Sequence, residues 1–277
     1  MVSLIILGKS IPKKLKTCLN NQTYRDFEVI LAPEEGIVNA MNIALAKAKG
    51  DIFVRIDTDV TLSKHWLKEL VKPFNNPTVA GVTGVTFVNK ELRANRDSIR
   101  VMENPPRFLR WMFDGRPYAR AKIYNCGSVS YGSNYKELME DNYDIDHLEG
   151  TNWAMRTELI RKVGGFDPAF DGVSEWFDDD VLFKIKKLAW GSQGAFCKSI
   201  QKHAIITHSY FKIVYAPKAI LYHNLDKHTM NFNKRKEGWS RIRNWLRFHW
   251  RHSKFHYKKV IWFLFLVIYT IKNRKSQ

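Results

Sequence analysis

The chain has 277 residues, enough to bury a large core and more than one ordinary domain requires. Its 45% hydrophobic and 13% aromatic content excludes a disordered protein, and three scattered cysteines, Cys18, Cys126 and Cys197, with no Cys-x-x-Cys spacing, argue against a disulfide framework or a zinc site. The net charge of +18 is uneven: residues 227–277 carry 14 Lys or Arg against the single acid Glu237, a balance of +13 that leaves +5 for the rest. A polycationic tail calls for an anionic partner, either a membrane surface or nucleic acid.

The opening segment, Val2 to Leu7, is a nearly continuous apolar run without a basic leader or a small-residue cleavage site. It reads as a strand buried on both faces rather than a signal peptide. Gly8-Lys9-Ser10 invites a phosphate-loop reading, but that motif needs a glycine where Ser3 stands. Leu15, Cys18 and Leu19 follow helical spacing. Phe27 to Leu31 is a second strand, broken by Ala32-Pro33-Glu34-Glu35-Gly36, and residues 37–48 read as a helix stopped by Gly50.

Asp51-Ile52-Phe53-Val54-Arg55-Ile56-Asp57 is a third strand running into Asp57-Thr58-Asp59. Two aspartates at a strand's carboxyl end are either a solvated turn or two oxygen ligands for one hard cation that carries a substrate's phosphates. Trp66, Leu67, Leu70 and Val71 fit another helix, and Val79 to Val88 another strand. The first 90 residues thus alternate strand and helix, the pattern of an α/β protein with a mostly parallel central sheet flanked by helices. Periodicity fades between residues 89 and 146, which read as long loops and short helices beside a cleft.

A second acidic group, Asp178-Asp179-Asp180, opens a helix that carries Leu182, Ile185 and Leu188 and stops near Gly191. One aspartate suffices to cap a helix and suit its dipole. Three adjacent carboxylates also set the condition for a raised pKa and hence for a general base.

In order along the chain, Gln22-Thr23-Tyr24-Arg25-Asp26-Phe27-Glu28-Val29-Ile30, Asn42 in its alanine-rich helix, Ala48-Lys49-Gly50-Asp51 and Asp57-Thr58-Asp59 resemble the nucleotide half of the inverting GT-A glycosyltransferases of family 2. Val163-Gly164-Gly165-Phe166-Asp167, Asp179-Asp180 eleven residues before Gly191, and residues 215–223 ending in His223 resemble that family's acceptor half. The resemblance covers residues 1–225. It implies a Rossmann-like GT-A domain, with residues 1–90 as the nucleotide-sugar half and 91–225 as the acceptor half. It further implies inverting transfer from a UDP- or GDP-sugar to a hydroxyl of a glycan or lipid-linked acceptor. Asp59 would hold the divalent cation (Mn2+ or Mg2+), with Asp57 assisting or contacting the nucleotide and His223 reaching back to the metal. Asp180 would be the general base, with Asp179 where the family has glutamate.

The chain departs from the family where Asp-Asp-Gly-Ser usually reads the base; Glu34 or Glu35 would have to substitute. Lys186 replaces the usual arginine after the acidic pair, and residues 192–210 look inserted. Two other readings remain open on sequence, a nucleotidyltransferase on a similar fold and a degenerate binding protein.

In the tail, residues 226–277, Trp239, Ile242, Trp245, Leu246 and Trp250 follow helical spacing among arginines. Residues 260–271 are apolar apart from Thr270 and too few to cross a bilayer. This pattern suits a basic helix lying in an anionic leaflet, and so a monotopic protein on the cytoplasmic side of a membrane. Packing of the tail against the domain is the alternative. Nucleic acid is disfavoured because no readout motif accompanies the charge.

Overall fold

The structure, a computed structural model, describes residues 1–33, 36–88, 107–114, 121–129, 145–172, 175–191, 211–224 and 234–272. Four strands follow one another early: β1 (Val2–Leu7), β2 (Phe27–Ala32), β3 (Ile52–Asp57) and the short β4 (Val60–Leu62). With β5 (Val79–Val88), β6 (Trp153–Arg156) and β7 (Lys212–His223) they form one seven-stranded sheet, ordered β2-β1-β3-β6-β5-β7-β4. The β1–β2, β1–β3 and β5–β7 pairs are parallel; those made by β6 and β4 are antiparallel. The sheet is therefore mixed, with β4 and β6 running against the other five strands. Neither of these short strands shows up in the sequence pattern.

Helices α1 (Lys13–Asn20), α2 (Ile37–Lys47) and α3 (Trp66–Val71) cover the first half, and α4 (Thr157–Lys162) and α5 (Phe177–Gly191) the second. Strand alternation sorts the side chains into two layers. Ile52, Val54 and Ile56 join Leu15, Leu19 and Leu67 under α1 and α3. Phe53 joins Met41, Trp153, Phe166, Phe177 and Leu182 under α2 and α5. Arg55 and Asp57 share the face of Phe53, the side of the sheet covered by α2 and α5.

Asn152 ties three elements together from a fully buried position. It accepts from Trp66 Nε1 (2.8 Å) and donates to the carbonyls of Val85 (3.0 Å) and Ala219 (3.2 Å). Gly84 leaves the space this needs: a Cβ there would stand 2.3 Å from the Ala219 carbonyl and 2.6 Å from Asn152 Nδ2.

The C-terminal helices α6 (Lys234–His252) and α7 (Tyr257–Lys272) do not form a free appendage. Ile242, Trp245 and Phe248 of α6 are buried, and Trp245 and Phe248 belong to the same core cluster as α5. Trp245 Nε1 and His249 Nε2 both donate to the Gly127 carbonyl, at 2.8 and 2.9 Å. Of the tryptophans expected at a membrane, Trp245 is a core residue and Trp250 is 92% exposed. Among the described residues no helix is long and apolar enough to cross a membrane.

Candidate active site

Strand pairing builds the first acidic group. β3 ends on Asp57, Thr58 turns the chain, and Asp59 leads into β4. The antiparallel register sets Val60 opposite His223, the last residue of β7, while Asn224 N–H donates to the Asp59 carbonyl at 2.8 Å. His223 Nε2 consequently lies 3.2 Å from Asp59 Oδ1. One atom each from Asp57, Asp59 and His223 falls within 4.8 Å of the others. Ligand bonds near 2.1–2.3 Å span such a triangle, and two carboxylates with one imidazole suit a divalent cation such as manganese. The three residues expected to bind metal are therefore brought together, by residues 164 positions apart in the case of Asp59 and His223.

The second acidic group lies at the start of α5. Its entry residue, Trp176, has φ +75°, a left-handed conformation that strains a bulky side chain. Phe248 of α6 lies 4.5 Å from its ring and holds it there. The three aspartates that follow leave the helix in different directions, about 100° apart per residue.

Asp180, expected as the general base, is fully buried and makes its contacts with α6 and with Lys184 of its own helix. Its carboxylate takes His252 Nε2 at 2.7 Å, Lys184 Nζ at 2.7 Å and Arg251 NH1 at 3.4 Å. Burial pushes its pKa up, but the His252 and Lys184 hydrogen bonds outweigh this and hold it below its ordinary value. A carboxylate held below its ordinary value by such partners is a weaker proton acceptor than one near neutrality.

Asp179 is equally enclosed: His147 Nδ1 lies 2.6 Å away and Leu148 N–H donates at 3.1 Å. Burial pulls the His147 imidazole down, yet the Asp179 charge and hydrogen bond raise it to about 9. His147 is thus a cation paired to Asp179.

Asp178 is shifted the other way. Burial first, then the Asp179 charge, push it up to about 7, against the pull of His147 and Arg55. One oxygen accepts from Asp179 N–H at 3.0 Å, in the manner of a helix cap. Arg55 joins the two acidic groups. Its NH2 donates to Asp57 Oδ1 at 3.2 Å, and its guanidinium lies 5.6 Å from the ring of Phe177, the residue before Asp178.

Asn42, expected to contact the nucleotide sugar, is committed elsewhere. Its Nδ2 donates to the Phe166 carbonyl (2.7 Å) and its Oδ1 accepts from Phe166 N–H (2.9 Å). Both ends of the amide thus hold the Gly164-Gly165 turn onto α2, a turn whose φ values of +90° and +76° call for glycine. Glu34 and Glu35 lie outside the described residues. Arg55 and His147 were not singled out by pattern. The signals were a lone arginine inside an apolar strand and a histidine next to Leu148 in an otherwise featureless stretch.

A mixed sheet flanked by helices thus carries a carboxylate–imidazole group at its strand ends, with three buried carboxylates at the start of α5. The chain matches the family model described as Glycosyl transferase family 2 over residues 9–164, more than half its length, and it belongs to that family. No curated protein matches it in sequence. Among solved structures it is similar to a mannosyltransferase from Pyrobaculum calidifontis in complex with GDP-Man and Mn2+ (15% identity, TM-score 0.51, covering 93% of this chain and 66% of that one). It is also similar to GalNAc-T7 with UDP, GalNAc and Mn2+ (13% identity, TM-score 0.51, covering 99% of this chain and 58% of that one). The chain thus spans about two thirds or less of these neighbours, and the likeness is one of fold.

Proposed function

We propose that this protein transfers a sugar from a nucleoside-diphosphate sugar to a hydroxyl of a glycan or lipid-linked acceptor, with inversion, beside an anionic membrane surface. The observation that carries the reading is the pairing of two unlike acidic groups across one arginine: Asp57, Asp59 and His223 on one side, Asp178 on the other. The first group has the donor set for a divalent cation, and the two fold neighbours hold Mn2+ with their ligands. When bound there, the ion supplies the positive charge that balances a departing nucleoside diphosphate.

The protein's own residues do the rest. Asp59 and His223 are fixed by the β4–β7 register, and Asp57 by Arg55, so the leaving group meets a preformed cradle. Asp178, with a pKa near neutrality, is matched to taking the proton of an acceptor hydroxyl at physiological pH. One base and one leaving-group cradle on opposite sides of the sugar call for a single displacement, which inverts the anomeric centre.

The membrane side of the reading rests on α7. Val260, Ile261, Leu264, Phe265, Ile268 and Ile271 form an exposed apolar face, while Trp262, Phe263 and Leu266 pack inward. Lys254, Lys259 and Lys272 flank it, which suits the headgroup region of an anionic leaflet.

The experiment is incubation of the full chain with UDP-, GDP- and TDP-sugars, with and without Mn2+, reading the phosphate product and the anomer formed. Release of nucleoside diphosphate only with the metal, and an inverted product, fit the reading. Pyrophosphate released from a nucleoside triphosphate would replace it with a nucleotidyltransferase.

A further inference from the structure

Arg55 is 3% exposed, and its Nε and NH1 are buried without a hydrogen-bond partner among the described residues. Leaving two guanidinium donors dry is expensive, so such groups in a native protein are kept for something. A second unpartnered polar atom lies in the loop beside them. NH1 stands 3.5 Å from where a Cβ on Gly150 would sit, and the next residue, Thr151, has a buried hydroxyl that is also without a partner.

The place of these groups in the site says what they face. Arg55 touches Asp57 at one end and packs on Phe177, beside Asp178, at the other. An in-line displacement orders leaving diphosphate, anomeric carbon, acceptor oxygen and base along one line. A side chain that spans from the leaving-group cradle to the base therefore lies alongside the sugar being transferred. Sugar ring hydroxyls are the acceptors that N–H donors and a threonine hydroxyl at that point would meet.

On the reading of the site given above, we infer that Arg55, with Thr151 beside Gly150, is the seat of the transferred sugar and orients its ring hydroxyls between the two acidic groups. The salt bridge to Asp57 offsets the arginine's charge, so the guanidinium offers donors without placing a bare cation next to the anomeric carbon.

The test uses the full chain with Mn2+ and four probes: UDP, GDP, UDP-GalNAc and GDP-mannose, titrated by calorimetry into wild type, Arg55→Met, Arg55→Lys and Thr151→Val. Binding of one nucleoside diphosphate and its sugar by wild type establishes the reading on which the inference rests. Arg55→Met should then weaken free nucleoside diphosphate only by what its contact with Asp57 supplies, a smaller loss than that of the nucleotide sugar. The nucleotide sugar should lose about tenfold or more, as expected for lost hydrogen bonds from a charged donor. Arg55→Lys should fall between, and Thr151→Val should weaken the sugar form alone. Equal losses for both ligands would show that Arg55 acts only by orienting Asp57, and unchanged values for both would remove it from the site. Failure of wild type to bind any of the diphosphates would instead overturn the functional reading itself, together with the inference. Arg55→Lys keeps the charge paired with Asp57, so it remains informative if the methionine variant folds poorly.

Discussion

The two acidic groups are held in opposite ways. Asp57, Asp59 and His223 sit at strand ends, half-buried, and are placed by sheet register and, for Asp57, by its contact with Arg55. Asp178, Asp179 and Asp180 are buried at a helix start, and their placement depends on α6, which supplies His252 and Arg251 and packs Phe248 on the strained Trp176. A carboxylate meant for a metal must stay open and needs little beyond a rigid strand. A carboxylate meant to accept a proton needs partners that tune it, and these come from elsewhere in the chain. One consequence is that α6 shares a core with α5, so removing the C-terminal segment would disturb more than the proposed membrane contact.

The contrast can be broken most sharply at the metal-binding group. Asp59→Ala should remove metal-dependent nucleoside diphosphate binding and, by roughly several kcal/mol of lost charge stabilisation, abolish measurable transfer, while the thermal midpoint stays near wild type. Titration calorimetry with and without Mn2+ checks the first part and a melting curve the second. Loss of folding would mean that this half is not built by register and the Arg55 contact alone.

Asp178→Asn should lower transfer by about 10²–10⁴ and leave diphosphate binding nearly intact. In wild type the rate should rise as pH passes through about 7, because the carboxyl accepts a proton only once ionised, and the asparagine variant should lose that limb. Asp180→Asn offers the control. If Asp180 were the base it would abolish turnover; as an anchor it should instead cost stability, about 1–3 kcal/mol by denaturant titration, with turnover reduced far less than in Asp178→Asn.

Trp245→Ala, in the buried face of α6, should destabilise by about 3–5 kcal/mol and lower activity in step with folding. Leu264→Glu with Ile268→Glu, on the exposed face of α7, should leave the melting temperature within a degree or two yet prevent flotation with anionic vesicles. Retained flotation would detach the membrane from this helix.

A smaller effect concerns pH and stability. His147 is raised from 6.5 to about 9 in the folded protein, so its pairing with Asp179 contributes fully below pH 6.5 and is lost as pH rises through about 9. His147→Gln should flatten the fall in unfolding free energy between pH 7 and pH 10.

Much of this fold could be read from the sequence, because β1, β2 and β3 are long apolar runs with helical periodicity between them. β4 and β6, with three and four residues, are too short to show a period, and they are what make the sheet mixed. The grouping of Asp57, Asp59 and His223 was legible because these residues stand at fixed positions next to strands. The different surroundings of Asp178, Asp179 and Asp180 were not, since three adjacent aspartates differ only in rotation about the helix axis, and what separates them is which neighbours, α6 among them, each one meets. In the tail, periodicity revealed an amphipathic helix without showing that the domain takes the face of Trp245 and leaves Trp250 outside. Arg55 reads in sequence as a polar interruption of a strand; only the strand's facing and the lack of partners for its Nε and NH1 among the described residues suggest the role proposed for it.

The central claim is that the leaving group is held at Asp57, Asp59 and His223 and the proton is taken at Asp178. Single-turnover assay of wild type, His223→Ala and Asp178→Asn against the nucleotide sugar that wild type binds, with and without Mn2+, tests it most directly. The account predicts metal-dependent release of nucleoside diphosphate by wild type. It further predicts weakened metal response in His223→Ala, and bound but unreacted donor in Asp178→Asn. Transfer at the wild-type rate by Asp178→Asn, or the same rate with Mn2+ removed, would contradict it.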